Sequence, residues 1–203
     1  MNKVDPTAIA SIERIVRSIE EHSSAEVVVE IRSCSGSYAH ADQRFAAATG
    51  FAALLFVLFV PFSFAPWLVP FAVGLSFAVA LLLSRSSSSI RRLTTTRRER
   101  EASTRMAAAA AFFERGVANT RAESGVLVLL SLLERRIEIL ADRGVLDAVP
   151  VLEWNQLMAL TGGGGLEELT TALQALQVLL ARCLPASAGN GNELPDAVSV
   201  VLK

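Results

Sequence analysis

Forty consecutive positions, Phe45 to Ser84, contain no Asp, Glu, Lys, Arg or His, while the sequence on both sides mixes apolar and polar positions as elements facing water do. A spanning helix needs roughly 20 apolar residues to cross about 30 Å of hydrocarbon, so this run is too long for one span and suited to two. Pro61 and Pro66 divide it. Proline removes an amide donor and pushes the preceding residue out of the helical region, so residues 61 to 66 read as the tip of a helical hairpin with spans Phe45 to Val60 and Pro66 to Leu83. Trp67 has the amphipathic ring that favours the headgroup level. A hairpin buried in a soluble core is the alternative, but the run has no polar stripe for a solvated face.

The flanking sequence alternates helix and strand. Asp5 and Pro6 are cap and first residue of a helix to about Glu21, with Ile9, Ile12, Ile15, Val16 and Ile19 on one stripe. Ala25 to Ile31 has the β-branched alternation of a strand. After the hairpin, Ser86 to Ser89 and Thr94 to Thr96 are poor helix formers, whereas Arg97 to Arg115 should be a helix packing Met106, Ala110, Phe112 and Phe113 inward and ending at Gly116. Gly125 to Leu132 is apolar on both faces, as in a central strand covered on both sides. The short link Glu134 to Arg136 makes Ile137 to Ala141 its antiparallel partner. A helix with Trp154, Leu157, Met158 and Leu160 follows, then a turn at Gly162 to Gly165. Leu166 to Cys183 is a core helix stopped by Pro185, and Ala197 to Leu202 is the last strand.

The fold class expected is therefore α/β, a small mixed sheet under helices, with Val27, Val29, Val126, Val128, Ile137, Ile139, Val198 and Val200 in one sheet. Residues 1–44 supply its first helix and strand, 45–84 the transmembrane hairpin and 85–203 the remainder. Setting the hairpin aside, the 203 residues leave room for one domain of about 150.

Charge adds a direction to this picture. The net charge is −1, yet seven arginines lie between Arg85 and Arg105 and none in the tip. By the positive-inside tendency both flanks, and so both termini and the whole soluble domain, are expected in the cytoplasm. Met1 to Ser24 has no apolar core of a secretory signal. The arginines either meet anionic headgroups or form a solvated helix face; nucleic acid is not expected as a partner, because a place beside the membrane already accounts for them. Cys34 and Cys183, far apart and without ligand spacing, read as free thiols. His22 and His40 read as exposed, and the Gly162 to Gly165 run lacks the Lys-Ser/Thr of a phosphate loop. The hairpin holds no ionisable residue, which argues against a transporter.

One constellation invites attention. Asp142 and Arg143 close the strand at Ile137 to Ala141, Asp147 follows, and Glu193 and Asp196 precede the last strand, so the two loops could share a sheet edge where open α/β sheets bind ligands. The alternative is that Asp142 and Asp147 serve a turn and a helix start, and that Asn192 to Pro195 bonds its own backbone.

These segments together resemble the TPM domain, a family named for thylakoid-lumen, photosystem II repair and levamisole-receptor-modulating members. The resemblance is carried by Ser24 to Val29, Phe113 to Val117 with Thr120, Ser124 to Val128, Arg135 to Gly144, Trp154 and Asn192 to Asp196. It implies an α/β/α sandwich working beside a membrane, here interrupted by the hairpin. Some members are described as acid phosphatases and some bind calcium, so calcium is the one cofactor the resemblance suggests; the residues themselves indicate none. Asp142 to Asp147 offers only two carboxylates, against the six to eight oxygens calcium asks for. The expectation is a non-enzymatic binding or assembly module of the bacterial inner membrane, held through Phe45 to Leu83, whose partner is another membrane or membrane-adjacent protein. The alternative is a membrane-bound phosphatase or other hydrolase, with or without a metal.

Overall fold

A computed structural model describes residues 5–61, 65–186 and 198–201. In chain order the elements are α1 (Pro6–His22), β1 (Glu26–Arg32), α2 (Ala39–Phe59), α3 (Leu68–Ser86), α4 (Ser88–Thr94) and α5 (Arg97–Glu114). Then come β2 (Gly125–Ser131), β3 (Arg136–Ala141), α6 (Arg143–Ala148), α7 (Val151–Leu160), α8 (Leu166–Cys183) and β4 (Ser199–Val201). They form two compact units, Met1–Ser35 with Glu101–Lys203, and Gly36–Arg100.

The first unit is built on a four-stranded mixed sheet in the order β3-β2-β1-β4, with β1 parallel to β2 and β4, and β2 antiparallel to β3. Val27, Val29 and Ile31 stand opposite Val126, Val128 and Leu130, and these in turn opposite Ala141, Ile139 and Ile137. Because side chains alternate across a strand, this register gathers every second residue onto one face. There they bury against Ile12, Val16 and Ile19 of α1 and Leu169, Leu173, Leu176 and Leu180 of α8. The other face packs Val28, Leu127 and Leu129 against Ala107, Ala108 and Ala111 of α5 and Val117. Every residue of β2 is buried, as its run without alternation requires. Among the eight sheet valines and isoleucines expected, Val198 lies one residue before β4, and the ends of the strand expected there, Ala197 and Leu202, lie outside the described residues.

Of the four residues of α5 expected to pack inward, only Phe112 does so. Met106, Ala110 and Phe113 face out, Phe112 is half-buried, and the small residues Thr104, Ala107, Ala108 and Ala111 face the sheet. Val28, Leu127 and Leu129 already fill that face, so the helix approaches through its small side chains and turns the large ones away. The turn between α7 and α8 fits equally closely against the β2–β3 link: a Cβ on Gly164 would lie 1.7 Å from the carbonyl carbon of Arg135.

In the second unit, α2 and α3 have 21 and 19 residues, about 31 and 28 Å at 1.5 Å per residue. Both are long and apolar enough to cross a membrane. They pack through small residues: Ala46 and Gly50 of α2 are buried, and a Cβ on Gly50 would lie 3.6 Å from the Cβ of Phe77 and 3.7 Å from the Val73 carbonyl. Close approach through small side chains is how helices associate in lipid, where apolar burial gives no driving force. Outside this seam Phe51, Phe56, Phe59, Phe71, Leu75 and Leu82 are exposed. Trp67 meets Phe71 edge-on at 6.2 Å, while tip residues Phe62 to Phe64 lie outside the described residues. Ser88, Ser89 and Thr94, expected to resist helix, are helical in α4, which starts where the Ser87 hydroxyl accepts the Ile90 amide at 3.4 Å.

Candidate functional site

The loop residues singled out in the sequence take separate places. Asp142 caps α6, its Oδ1 accepting the Arg143 amide at 2.8 Å. Arg143 and Asp147 pair at 3.5 Å along the solvent face of that helix, with 81 % and 73 % of their side chains exposed; a pair so exposed contributes little. Glu153 of α7 pairs instead with Arg182 of α8. Glu193 and Asp196, like Asn190 and Asn192, lie outside the described residues. The start of β4 and the exit of β3 point to the same end of the sheet. The two strands are nevertheless at opposite edges, three strand spacings or about 14 Å apart.

A polar network that sequence reasoning missed occupies the α5 face of the sheet. Glu30 is fully buried and accepts from Arg32 Nε at 2.5 Å and Arg115 Nε at 2.9 Å, while Arg115 also donates to the Ser199 hydroxyl. Glu138 accepts from Arg136 Nε at 2.7 Å, and Arg136 Nη1 donates to Glu101 at 2.9 Å. Glu134 accepts the Ser35 amide at 3.0 Å and the Ser131 hydroxyl, with the Cys34 sulfur 3.7 Å away. Register explains the grouping: Glu30 and Glu138 both stand opposite Leu129, and Arg32 and Arg136 both opposite Ser131. The signal was in the sequence, since Glu26 and Glu30 on β1 and Arg136 and Glu138 on β3 recur at the two-residue spacing of one face. Glu30 and Glu138 are countered by arginines and Glu134 is held by hydrogen bonds, so the network fixes strands and α5 rather than presenting a base or nucleophile.

The foot of the hairpin has a second arrangement of this kind. Asp42, three residues before the uncharged run, is buried and accepts from the Ser84 hydroxyl at 2.6 Å and from Arg91 Nε and Nη2 at 3.2 and 2.9 Å. One carboxylate thus ties the start of α2 to the end of α3 and to α4. Helix α5 opens with a capping box in which the Thr96 amide donates to Glu99 at 2.8 Å and the Glu99 amide to the Thr96 hydroxyl at 3.2 Å. The hydrogen bonds from Thr96, with smaller help from Arg44 and His40, lower the pKa of Glu99 below its ordinary 4.5. Arg100 Nη1 donates to the Arg92 and Thr95 carbonyls at 2.7 and 3.0 Å, closing the end of α4. Above the foot an apolar groove of about 380 Å³ runs along Phe45 and Thr49 of α2 and Leu75, Val79 and Leu83 of α3.

Charge divides with the units. Residues 36–100 carry seven arginines and two acids, a surplus of five positive charges, so a chain of net −1 leaves −6 on the other unit. Both cysteines are free. His22 Nδ1 lies 2.8 Å from the Ser18 carbonyl, and His40 lies 3.7 Å from Glu99. Among the described residues no three His, Cys, Asp or Glu side chains are grouped to hold a metal ion.

Against known proteins, no family model and no curated protein matches this sequence. A solved structure does. The NMR structure of the BA42 protein from the psychrophilic bacterium Bizionia argentinensis superposes with a TM-score of 0.57 over 98 % of this chain and 97 % of that one, at 14 % identity. At that identity the likeness is one of fold.

Proposed function

We propose that this chain is a membrane-anchored TPM-like domain that serves as a non-enzymatic binding or assembly module for another membrane or membrane-adjacent protein. In this reading α2 and α3 cross the inner membrane as a hairpin and leave the sheet unit and both termini on the cytoplasmic side. The observation that carries it is the exterior of the hairpin. Phe51, Phe56, Phe59, Phe71, Leu75 and Leu82 all face outward on helices whose length matches a bilayer, and a soluble protein rarely exposes so continuous an apolar surface. The arginines at the exit of α3 support the cytoplasmic orientation.

Two further features support binding over catalysis. Of the carboxylates singled out in the sequence, Asp142 caps a helix and Asp147 pairs with Arg143 on its solvent face, and phosphoryl hydrolysis needs a positioned nucleophile and concentrated positive charge or metal. The sheet unit also presents large apolar side chains to solvent, Met106 and Phe113 on α5 and Val151 and Leu152 on α7, as a docking surface would. The test is cross-linking of the full chain in membranes followed by affinity purification. A discrete partner whose capture is reduced by Met106→Ser with Phe113→Ser, or by Val151→Ser with Leu152→Ser, supports the reading. Hydrolysis of a generic phosphomonoester that disappears in Asp142→Ala/Asp147→Ala with the fold intact would replace it with the hydrolase.

A further inference from the structure

Between Asp42 and Glu99 the sequence contains no acidic residue, and the hairpin unit those two acids belong to has seven arginines. Both acids are already engaged: Asp42 by Arg91 and Ser84, Glu99 by the Thr96 cap and, at 3.5 Å, by Arg44. Arg100 is spent on the end of α4. Arg85 and Arg98 are exposed and make no hydrogen bond or ion pair with the described residues, Arg85 having a charge attraction to Asp42 beyond ion-pair distance. Between them in the sequence, Leu93 of α4 is 87 % exposed, the most exposed of the large apolar side chains among the described residues.

From this combination we infer that the foot of the hairpin is a binding surface for the headgroups of anionic phospholipids, with Arg85 and Arg98 meeting phosphates and Leu93 entering the acyl boundary. The inference rests on the reading that the hairpin spans a bilayer. Helix length makes the contact necessary. The uncharged part of α2, Phe45 to Phe59, covers roughly 22 Å at 1.5 Å per residue, short of the about 30 Å of hydrocarbon. The turn holding Asp42 and Arg44 is therefore drawn into the interface, where the Arg91 and Ser84 bonds neutralise Asp42 and leave Arg85 and Arg98 to face headgroups. A soluble polyanion would satisfy the arginines but gives Leu93 nothing to bury in, nor does it use the uncharged groove beside Phe45 and Leu83, which suits an acyl chain. Basic residues beside aliphatic ones are what interfacial segments use: charge for the headgroup, apolar side chain for the boundary.

The experiment uses the full chain reconstituted in phosphatidylcholine vesicles with a trace of spin-labelled lipid, comparing how much labelled phosphatidylglycerol and labelled phosphatidylcholine the protein immobilises. The unmodified chain should favour phosphatidylglycerol, and the preference should shrink when salt is raised tenfold, as screening demands. Arg85→Gln and Arg98→Gln should each lower it by roughly fivefold at most, the worth of one arginine at an anionic surface, and Leu93→Ser should weaken retention of both lipids alike. Equal immobilisation of the two lipids by the unmodified chain, or a preference that survives R85Q/R98Q or high salt, would overturn the inference. A chain that never enters the vesicles would instead sink the membrane-anchor reading itself, a result that flotation of the vesicles distinguishes.

Discussion

Removing Arg91 should destabilise the hairpin more than removing its partner Asp42, and removing both should cost less than removing Arg91 alone. Asp42 keeps 2 % of its side-chain surface and Arg91 25 %, and three hydrogen bonds converge on the carboxylate. In Arg91→Met the carboxylate stays buried with the Ser84 hydroxyl still donating to it and the charge of Arg85 beyond ion-pair distance. Stranding a buried charge costs 3–5 kcal/mol, and a position at the end of a helix puts this case near the lower limit, about 3 kcal/mol. In Asp42→Asn the amide oxygen still accepts from Ser84 and the half-open guanidinium hydrates, so what is lost is the charge assistance of the pair, about 1.5 kcal/mol. The double variant strands no charge and should return to about 1.5 kcal/mol, a rescue of about 1.5 relative to Arg91→Met. The assay is reversible unfolding in mixed micelles titrated with sodium dodecyl sulfate, followed by circular dichroism. A double variant less stable than Arg91→Met, or single losses that simply add, would refute the claim that the pair is a buried charge clasp.

Other consequences are open to direct measurement. Gly164→Ala forces a Cβ into the β2–β3 link and should cost about 3 kcal/mol, the upper range for overpacking, read as a fall in melting temperature. Gly162→Ala, whose Cβ would meet only the Ala159 carbonyl at 3.7 Å, should stay within about 0.5 kcal/mol and serves as the control. Leu129→Ala, fully buried in the central strand between α5 and the neighbouring strands, should lose about 3 kcal/mol in the same measurement. The pKa of Glu99 is lowered by the Thr96 hydrogen bonds, so its contribution is complete above the ordinary 4.5 and is lost as pH falls through the lowered value. Amide protection in the first turn of α5, taken relative to the intrinsic exchange rate at each pH, should therefore fall on acidification below 4.5, and Glu99→Gln should flatten that dependence; an acid response unchanged in the variant would contradict the capping-box origin.

What could be read from the sequence was what depends on charge and period. An uncharged run of forty residues broken by prolines specifies two helices whatever packs around them. The register of β1, β2 and β3 follows from valine, leucine and isoleucine at alternate positions, with a link too short for anything but a hairpin. What stayed hidden depends on how much room a neighbour leaves. Met106 and Phe113 are, with Phe112, the largest apolar side chains of α5, so they read as core; the sheet face already crowded by Val28, Leu127 and Leu129 instead admits Ala107, Ala108 and Ala111. Helix α4 was masked by serines and threonines whose weak propensity is overridden by the Ser87 cap and the Arg91 tie to Asp42. The candidate loop shows the same limit. Asp142, Arg143 and Asp147 are close in sequence, but a six-residue helix gives them a cap and a solvent-facing pair. The charge clusters on the sheet and at the hairpin foot include pairs 35, 49 and 85 positions apart, brought together through register and helix contact that no local pattern reveals.

The central claim is that α2 and α3 cross the membrane and return the chain to the cytoplasm. With Cys34 and Cys183 replaced by serine, a single thiol at Ala65→Cys and reporters fused at Met1 and Lys203 test it in one strain. The account predicts that a membrane-impermeant maleimide added outside the cytoplasmic membrane labels Ala65→Cys in intact cells while both terminal reporters score cytoplasmic. A thiol at Ala65 reached only after the membrane is opened, or a terminus scoring on the outer side, would contradict it.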